Sequence, residues 1–133
     1  MSNKKLGNDF EAQFCEILFA EGFWCHNLAQ NQAGQPADVI AVRNGKSYLI
    51  DCKVCSNGGF VLSRMEDNQD LAMGLWQDCG NGYGWFSILI SESNGIYMIP
   101  HWLIRAVRNS QFCLSEKEIR EGGIPLDEWL KSS

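Results

Sequence analysis

Apolar residues recur every three to four positions at the start of the chain, where Leu6, Phe10, Phe14, Ile17 and Leu18 fall on one stripe of residues 5–21. That spacing predicts an amphipathic helix ended by Gly22. The period then shortens to two. The stretch "FWCHNL" (23–28) predicts a first short strand, and the polar "AQNQAGQPA" that follows carries Gly34 and Pro36 as breakers. In "DVIAVRNGKSYLIDCKV" two apolar runs flank Asn44-Gly45, the strongest short-range hairpin signal. "FVL" at 60–62 predicts a third strand. Ser63, with Glu66 three residues on, predicts a capping box opening a second helix that runs to about Asp78 and stops at "CGNGYG". "WFSILIS" and "IYMIP" predict a strand pair around "ESNG", and residues 101–109 a short helix after Pro100. Ser115 and Glu118 repeat the capping-box spacing before a last helical turn or two. The order α-β-β-β-α-β-β-α predicts a central mixed sheet flanked by helices, an α/β or α+β domain.

Nothing in the composition disturbs that picture. The 133 residues contain no repeat, low-complexity segment or linker, so a single domain over 1–133 is expected. They are 45% hydrophobic, with seven Phe, five Trp and three Tyr to fill one core. No apolar run reaches the length of a membrane span, and "MSNKKLGNDF" lacks the apolar segment of a secretory signal, so a cytoplasmic protein is expected. In that compartment the six cysteines are read as reduced thiols. The net charge of −5 argues against a broad, non-specific nucleic-acid binder. It leaves room for a local basic strip, or for a metal in an acidic site.

Candidate chemistry comes from the hairpin register. If Asn44-Gly45 is a two-residue turn, Arg43 faces Lys46, Val39 faces Ile50, and Asp38 faces Asp51. Opposed residues on an antiparallel pair have Cβ atoms roughly 4.5–5.5 Å apart. Two half-buried carboxylates at that distance repel, and a bridging divalent cation such as Mg²⁺ or Mn²⁺ is the natural neutraliser. Strand alternation puts Lys53 on the face of Asp51 and turns Cys52 away, leaving the Cys52 carbonyl between them as a further possible ligand. Lys53 can then offset developing negative charge or position a water. Glu11 lies on the inner edge of the first helix stripe, where an acid needs a partner such as the metal, its water or Lys53. Gln69 sits near the buried stripe of the second helix. A one-residue slip in the turn would put the two aspartates on opposite faces.

These residues resemble a known pattern. Glu11 on the first helix, "PAD" at 36–38 and "DCK" at 51–53 are similar to the motif of the PD-(D/E)xK nuclease superfamily. "GNDFE" at 7–11, "QPADVIAVRNGKSYLIDCKV" at 35–54 and "IYMIPHWLI" at 96–104 resemble the Holliday junction resolvases, the archaeal type in particular. The resemblance implies a restriction-endonuclease-like fold and an endonuclease that hydrolyses DNA phosphodiesters with Mg²⁺, acting as a homodimer on branched or four-way-junction DNA in recombination and repair. It implies Asp38 and Asp51 as metal carboxylates, Lys53 as the catalytic lysine, Glu11 as a helix acid assisting metal or water, and Gln69 as the later helix glutamine. Gly7 would permit close approach of a DNA backbone. Two departures stand out: Asp51 replaces the Glu of many such resolvases, and the chain is acidic where they are basic. Nucleases of this superfamily on linear or flapped DNA, and a catalytically silent DNA-binding module, are the alternative readings.

The remaining signals are bland. Cys52 and Cys55 form a C-x-x-C inside a strand rather than at a strand-to-helix turn, so buried thiols are expected. His26 and His101 have no ligand spacing and are read as structural. "GNGYG" at 80–84 follows a helix and precedes a strand, the wrong order for a phosphate loop. Lys4, Lys5 and Arg64 are the candidate phosphate contacts, and "NLAQNQAGQ" could order on DNA. Trp85, Phe86, Trp102 and Trp129 leave room for a dimer interface.

Overall fold

Asn44 and Gly45 both take positive φ, 54° and 77°, which the type I′ hairpin turn requires at its two central positions. The structure is a computed structural model describing residues 3–28, 37–56 and 59–133, with Asn3 and Lys4 described by backbone alone. In it β2 (Val39–Arg43) pairs with β3 (Lys46–Cys55) in the expected register, from Arg43 opposite Lys46 to Val39 opposite Ile50. The first helix is α1 (Asn3–Ala20), and β1 (Trp24–Asn27) follows as predicted and pairs with β2.

The strand pair across "ESNG" is β5 (Trp85–Ile90) and β6 (Gly95–Pro100), antiparallel as expected. Strand β5 joins β3 in parallel, opposite Ile50 through Cys55. This crossover is made by α2 (Asp67–Asp78), as parallel neighbours require. Adding β8 (Ile124–Pro125) on the far edge completes a six-stranded mixed sheet, ordered β1-β2-β3-β5-β6-β8.

Alternation along β3 sorts the core into two layers. Ile50 and Cys52 join Phe10, Phe14 and Leu18 of α1, while Leu49 and Cys55 join Met73 of α2, Ile104 of α3 (His101–Val107) and Ile119 of α4 (Glu116–Gly122). The three-residue spacing of Cys52 and Cys55 therefore puts their thiols on opposite faces of the sheet, as two buried free cysteines. Among the described residues no helix is long and apolar enough to cross a membrane.

Four expectations are corrected. The third strand, β4 (Gly59–Val61), is outside the main sheet and pairs with β7 (Cys113–Ser115) in a two-stranded sheet. Ser63 does not open the second helix: it lies in a 3₁₀ turn over Leu62–Arg64, and α2 starts after Glu66. The reciprocal spacing lies one turn later, where Gln69 Oε1 accepts the Glu66 N–H at 3.1 Å. Glutamine serves this reach-back role as well as Glu does. The Ser115–Glu118 box does form, at the start of α4.

The chain also ends in a full helix, α5 (Leu126–Ser132), rather than stopping after α4. Its Trp129 is 1% exposed and stacks on Phe23 at 5.8 Å. The Arg43 guanidinium lies over the Phe23 ring and donates to the Leu130 carbonyl, tying α5 to the hairpin. Trp85, Phe86 and Trp129 are thus core residues, and of the four aromatics suggested for an interface only Trp102 is exposed.

Candidate active site

Strand β2 gives out at the point where the charges of β3 begin. Past Val39, the Asp38 N–H donates to the Ile50 carbonyl at 3.1 Å. Its carboxylate turns to the strand edge and accepts the Cys52 N–H at 2.8 Å through Oδ2. The Asp38 side chain thus terminates the ladder, a role the sequence spacing did not show. Among the described residues no strand pairs with that edge of β3 beyond Ile50. The site lies at this opening.

Asp51 is 1% exposed and points to the α2 side of the sheet. Gln69 donates Nε2 to Asp51 Oδ1 at 3.2 Å. Since the same side chain caps the Glu66 N–H, the helix start and the carboxylate are positioned by one residue. The other oxygen, Oδ2, is buried with no aligned hydrogen-bond donor. Lys53 Nζ stands 3.0 Å from it, an ion-pair contact without hydrogen-bond geometry. Burial, first, and then the Asp38 charge push the Asp51 pKa well above its ordinary value, and Lys53 offsets part of that rise.

Glu11 is also buried, but it works from the other side of the strand. Its charge, after burial and the two aspartates, helps raise the Cys52 thiol pKa, and it acts on Cys15 of α1 as well. Burial likewise pushes the Cys55 thiol up to about 11, so neither buried cysteine is a thiolate at neutral pH. The structure brings Asp38, Asp51, Lys53 and Gln69 together around the β3 edge, with Glu11 across Cys52 from them.

Do these groups fit a divalent metal? Among the described residues no three His, Cys, Asp or Glu side chains converge as an all-side-chain cage. Mg²⁺ rarely needs one, since it is commonly held by one or two carboxylates, waters and substrate phosphate oxygens. Two facing carboxylates, one with a buried oxygen lacking a hydrogen bond, suit a hard cation, which would reverse the repulsion that raises the Asp51 pKa.

A cleft of about 380 Å³ runs along the same part of β3 on its α1 side, lined by Gly7, Cys52, Val54, Ser56, Gly59 and Arg64 among others. Arg64 donates to the Val54 carbonyl at 2.8 Å and remains exposed. Lys5 pairs with Asp9 at 3.2 Å on the surface. The Lys4 side chain and residues 29–36 of the proposed DNA-ordering loop lie outside the described residues.

Behind the site, α2 is fixed to α3. Asp70 Oδ1 meets His101 Nε2 at 2.6 Å and Arg105 Nε at 2.9 Å. Burial alone would raise the Asp70 pKa, but these bonds outweigh it and hold the carboxyl below its usual range. His101 is structural, as expected. Its pairing with the residue beside Gln69 had no signature in the sequence.

No protein-family model and no curated protein matches the chain. Among solved structures it is similar to Hjc, a Holliday junction resolvase from the archaeal hyperthermophile Archaeoglobus fulgidus, with a TM-score of 0.70. The match covers 93% of this chain and 99% of that one at 16% identity. The chain has the fold of that resolvase.

Proposed function

We propose that the chain is a divalent-metal-dependent endodeoxyribonuclease acting on branched DNA, four-way junctions above all. One observation carries the reading: a fully buried Asp51, paired with Lys53 and crowded by Asp38, at an open strand edge of a resolvase-like fold. A structural ion pair would not require a second carboxylate beside the first.

Asp38, Asp51 and the Cys52 carbonyl are the groups that would hold Mg²⁺, or Mn²⁺ in its place, with Glu11 adding charge from α1. Bound there, the cation would polarise a phosphate and lower the pKa of a water. Lys53 directs Nζ toward the phosphate oxygens, where it offsets negative charge as it develops. Glu11 orients the attacking water and accepts its proton. Gln69 holds Asp51 Oδ1 so that Oδ2 keeps its direction. Gly7 and Arg64 line the cleft proposed for the DNA backbone, and Lys4 and Lys5 are the further candidate phosphate contacts. Their local positive charge would work against a net charge of −5.

Resolving a junction needs one cut on each of two strands related by a two-fold axis, which a homodimer supplies by its own symmetry. Leu71 and Leu75 are 70% and 63% exposed, one turn apart on α2, and Trp102 of α3 is 53% exposed. These side chains offer an apolar surface for that contact.

The test is cleavage of a synthetic four-way junction beside linear and flapped duplex, with and without Mg²⁺. Preferential, Mg²⁺-dependent cutting of the junction is expected, and Asp51→Asn should lower it by at least about 10²–10³-fold. Full activity of that variant with Mg²⁺ present would sink the assignment. The acidic balance favours one alternative, a nuclease on linear or flapped DNA, and equal rates on all three substrates would establish it.

A further inference from the structure

A second cleft, of about 320 Å³, lies at the hairpin end of β3, away from Asp51. It is lined by Lys46, Tyr48, Gly82, Tyr83, Trp85 and Trp129 among others. Lys46 precedes Asp51 by five residues, which is roughly 16 Å along the strand. The aromatic walls stand at angles to one another. Trp129 is edge-on to Tyr48 and to Trp85, with ring centres 5.1 and 5.8 Å away, and Tyr83 is tilted against Trp85 at 5.1 Å. Trp85 and Trp129 are held in the core, while Tyr83 is 37% exposed.

Gly82 and Tyr83 belong to the "GNGYG" loop, which does more than stop a helix. Its Asn81 donates to the Trp76 carbonyl at 3.1 Å and accepts the Ser47 hydroxyl at 2.6 Å, tying the loop to α2 and β3 together. A Cβ on Gly82 would meet nothing within 4 Å, so the space before it is open. Ser133, also on the lining, is held by Arg43, which donates to its carbonyl. On the rim, Lys46 is exposed and has no carboxylate partner among the described residues.

We propose that this cleft is a nucleotide-binding site, which takes the base of a free nucleoside monophosphate against its rings and the phosphate at Lys46. Aromatic side chains stack on the face of any base, and edge-on neighbours give a planar heterocycle both a face and an edge to pack on. The volume is at the low end of the roughly 300–1,000 Å³ typical of ligand pockets, which suits one nucleotide. The charge count agrees. A strand brings a phosphate with every base, whereas Lys46 is the one charged side chain among the described residues of the lining, on a chain of net charge −5. Aromatic walls also attract organic cations, which Lys46 would repel. The proposal does not rest on the nuclease reading above.

Binding to the full chain is measured by tryptophan fluorescence and calorimetry, in metal-free buffer that keeps phosphate away from the acidic cluster. The probes are deoxyadenosine monophosphate, deoxyadenosine, inorganic phosphate, choline and single-stranded oligo-dA. Saturable binding of the monophosphate is expected, tighter than that of the nucleoside, with none of phosphate or choline. Tyr83→Ala should weaken it about 5- to 150-fold, the range that loss of one stacked base implies. Lys46→Ala should bring the monophosphate down to the affinity of the nucleoside and leave the nucleoside unchanged. Gly82→Leu, which fills the open space, should block both, and Asp51→Asn should bind as the wild type does. Circular dichroism checks that each variant folds. No saturable binding of the monophosphate, or binding that survives the changes at Tyr83, Lys46 and Gly82, overturns the proposal. Tighter binding of choline overturns it too. Tighter, Tyr83-dependent binding of oligo-dA overturns the free nucleotide and assigns the cleft to a strand.

Discussion

A carboxylate as deeply buried as Asp51 is costly, and the sign of that cost can be measured. Its folded pKa is raised above the unfolded value of about 4. In that window the native state binds more protons than the unfolded chain, so this group lowers stability as pH rises from about 4 through its folded pKa. In metal-free buffer, denaturation midpoints should therefore fall more steeply over that range in the wild type than in Asp51→Asn. Parallel slopes would show that Asp51 is not the strained group. Gly7 makes the opposite trade. It sits inside α1, where glycine costs roughly 0.5–1 kcal/mol relative to Ala, yet an added Cβ would meet nothing within 4 Å. Among the described residues nothing requires a glycine there, and the residue lines the cleft. Gly7→Ala should raise stability by about that amount while weakening DNA cleavage. A variant that is more stable and equally active would remove Gly7 from the DNA path.

Among the elements, α2 matters most, because its first turn does two jobs through Gln69. Gln69→Ala removes the cap on the Glu66 N–H and the donor to Asp51 together. A loss of about 1–2 kcal/mol is expected from chemical denaturation, along with slower cleavage. Gln69→Glu separates the roles, since it keeps the capping acceptor but puts another carboxylate against Asp51. It should keep the cap but lose stability as pH rises and the two carboxyls ionise against each other, and still be impaired. If both variants cleave like the wild type, Gln69 is only a cap. The Asp70–His101–Arg105 cluster, one residue on, explains why this helix start can hold a fixed position.

At the scale of the whole molecule, the question is how many sites act together. Replacing Leu71 and Leu75 with Lys should leave the fold intact, because both side chains are largely exposed. It should shift sedimentation from dimer to monomer and convert paired incision of a junction into single nicks. A wild-type chain that is monomeric both alone and on junction DNA would exclude the symmetric arrangement. The fold constrains this surface only loosely. Its core, by contrast, is packed on both faces of the sheet, with Trp129 of α5 in the α1 layer and Ile119 of α4 in the other.

What was legible in the sequence is what short-range rules govern. The Asn44-Gly45 turn fixes register because few backbone conformations join two twisted strands in two residues, and register then places Asp38, Asp51 and Lys53 through strict alternation. The stripe of α1 is set by the same kind of periodicity, as is the mixed sheet implied by the element order. Tertiary packing decided the rest. Whether Asp38 caps Cys52, whether Gln69 reaches Asp51, whether "FVL" joins the main sheet or pairs with β7, and whether Trp129 lies inside or outside all depend on segments distant in the chain. A hydrogen bond or a buried ring takes its energy from the partner it meets, and for these residues the chain names no partner until it has folded.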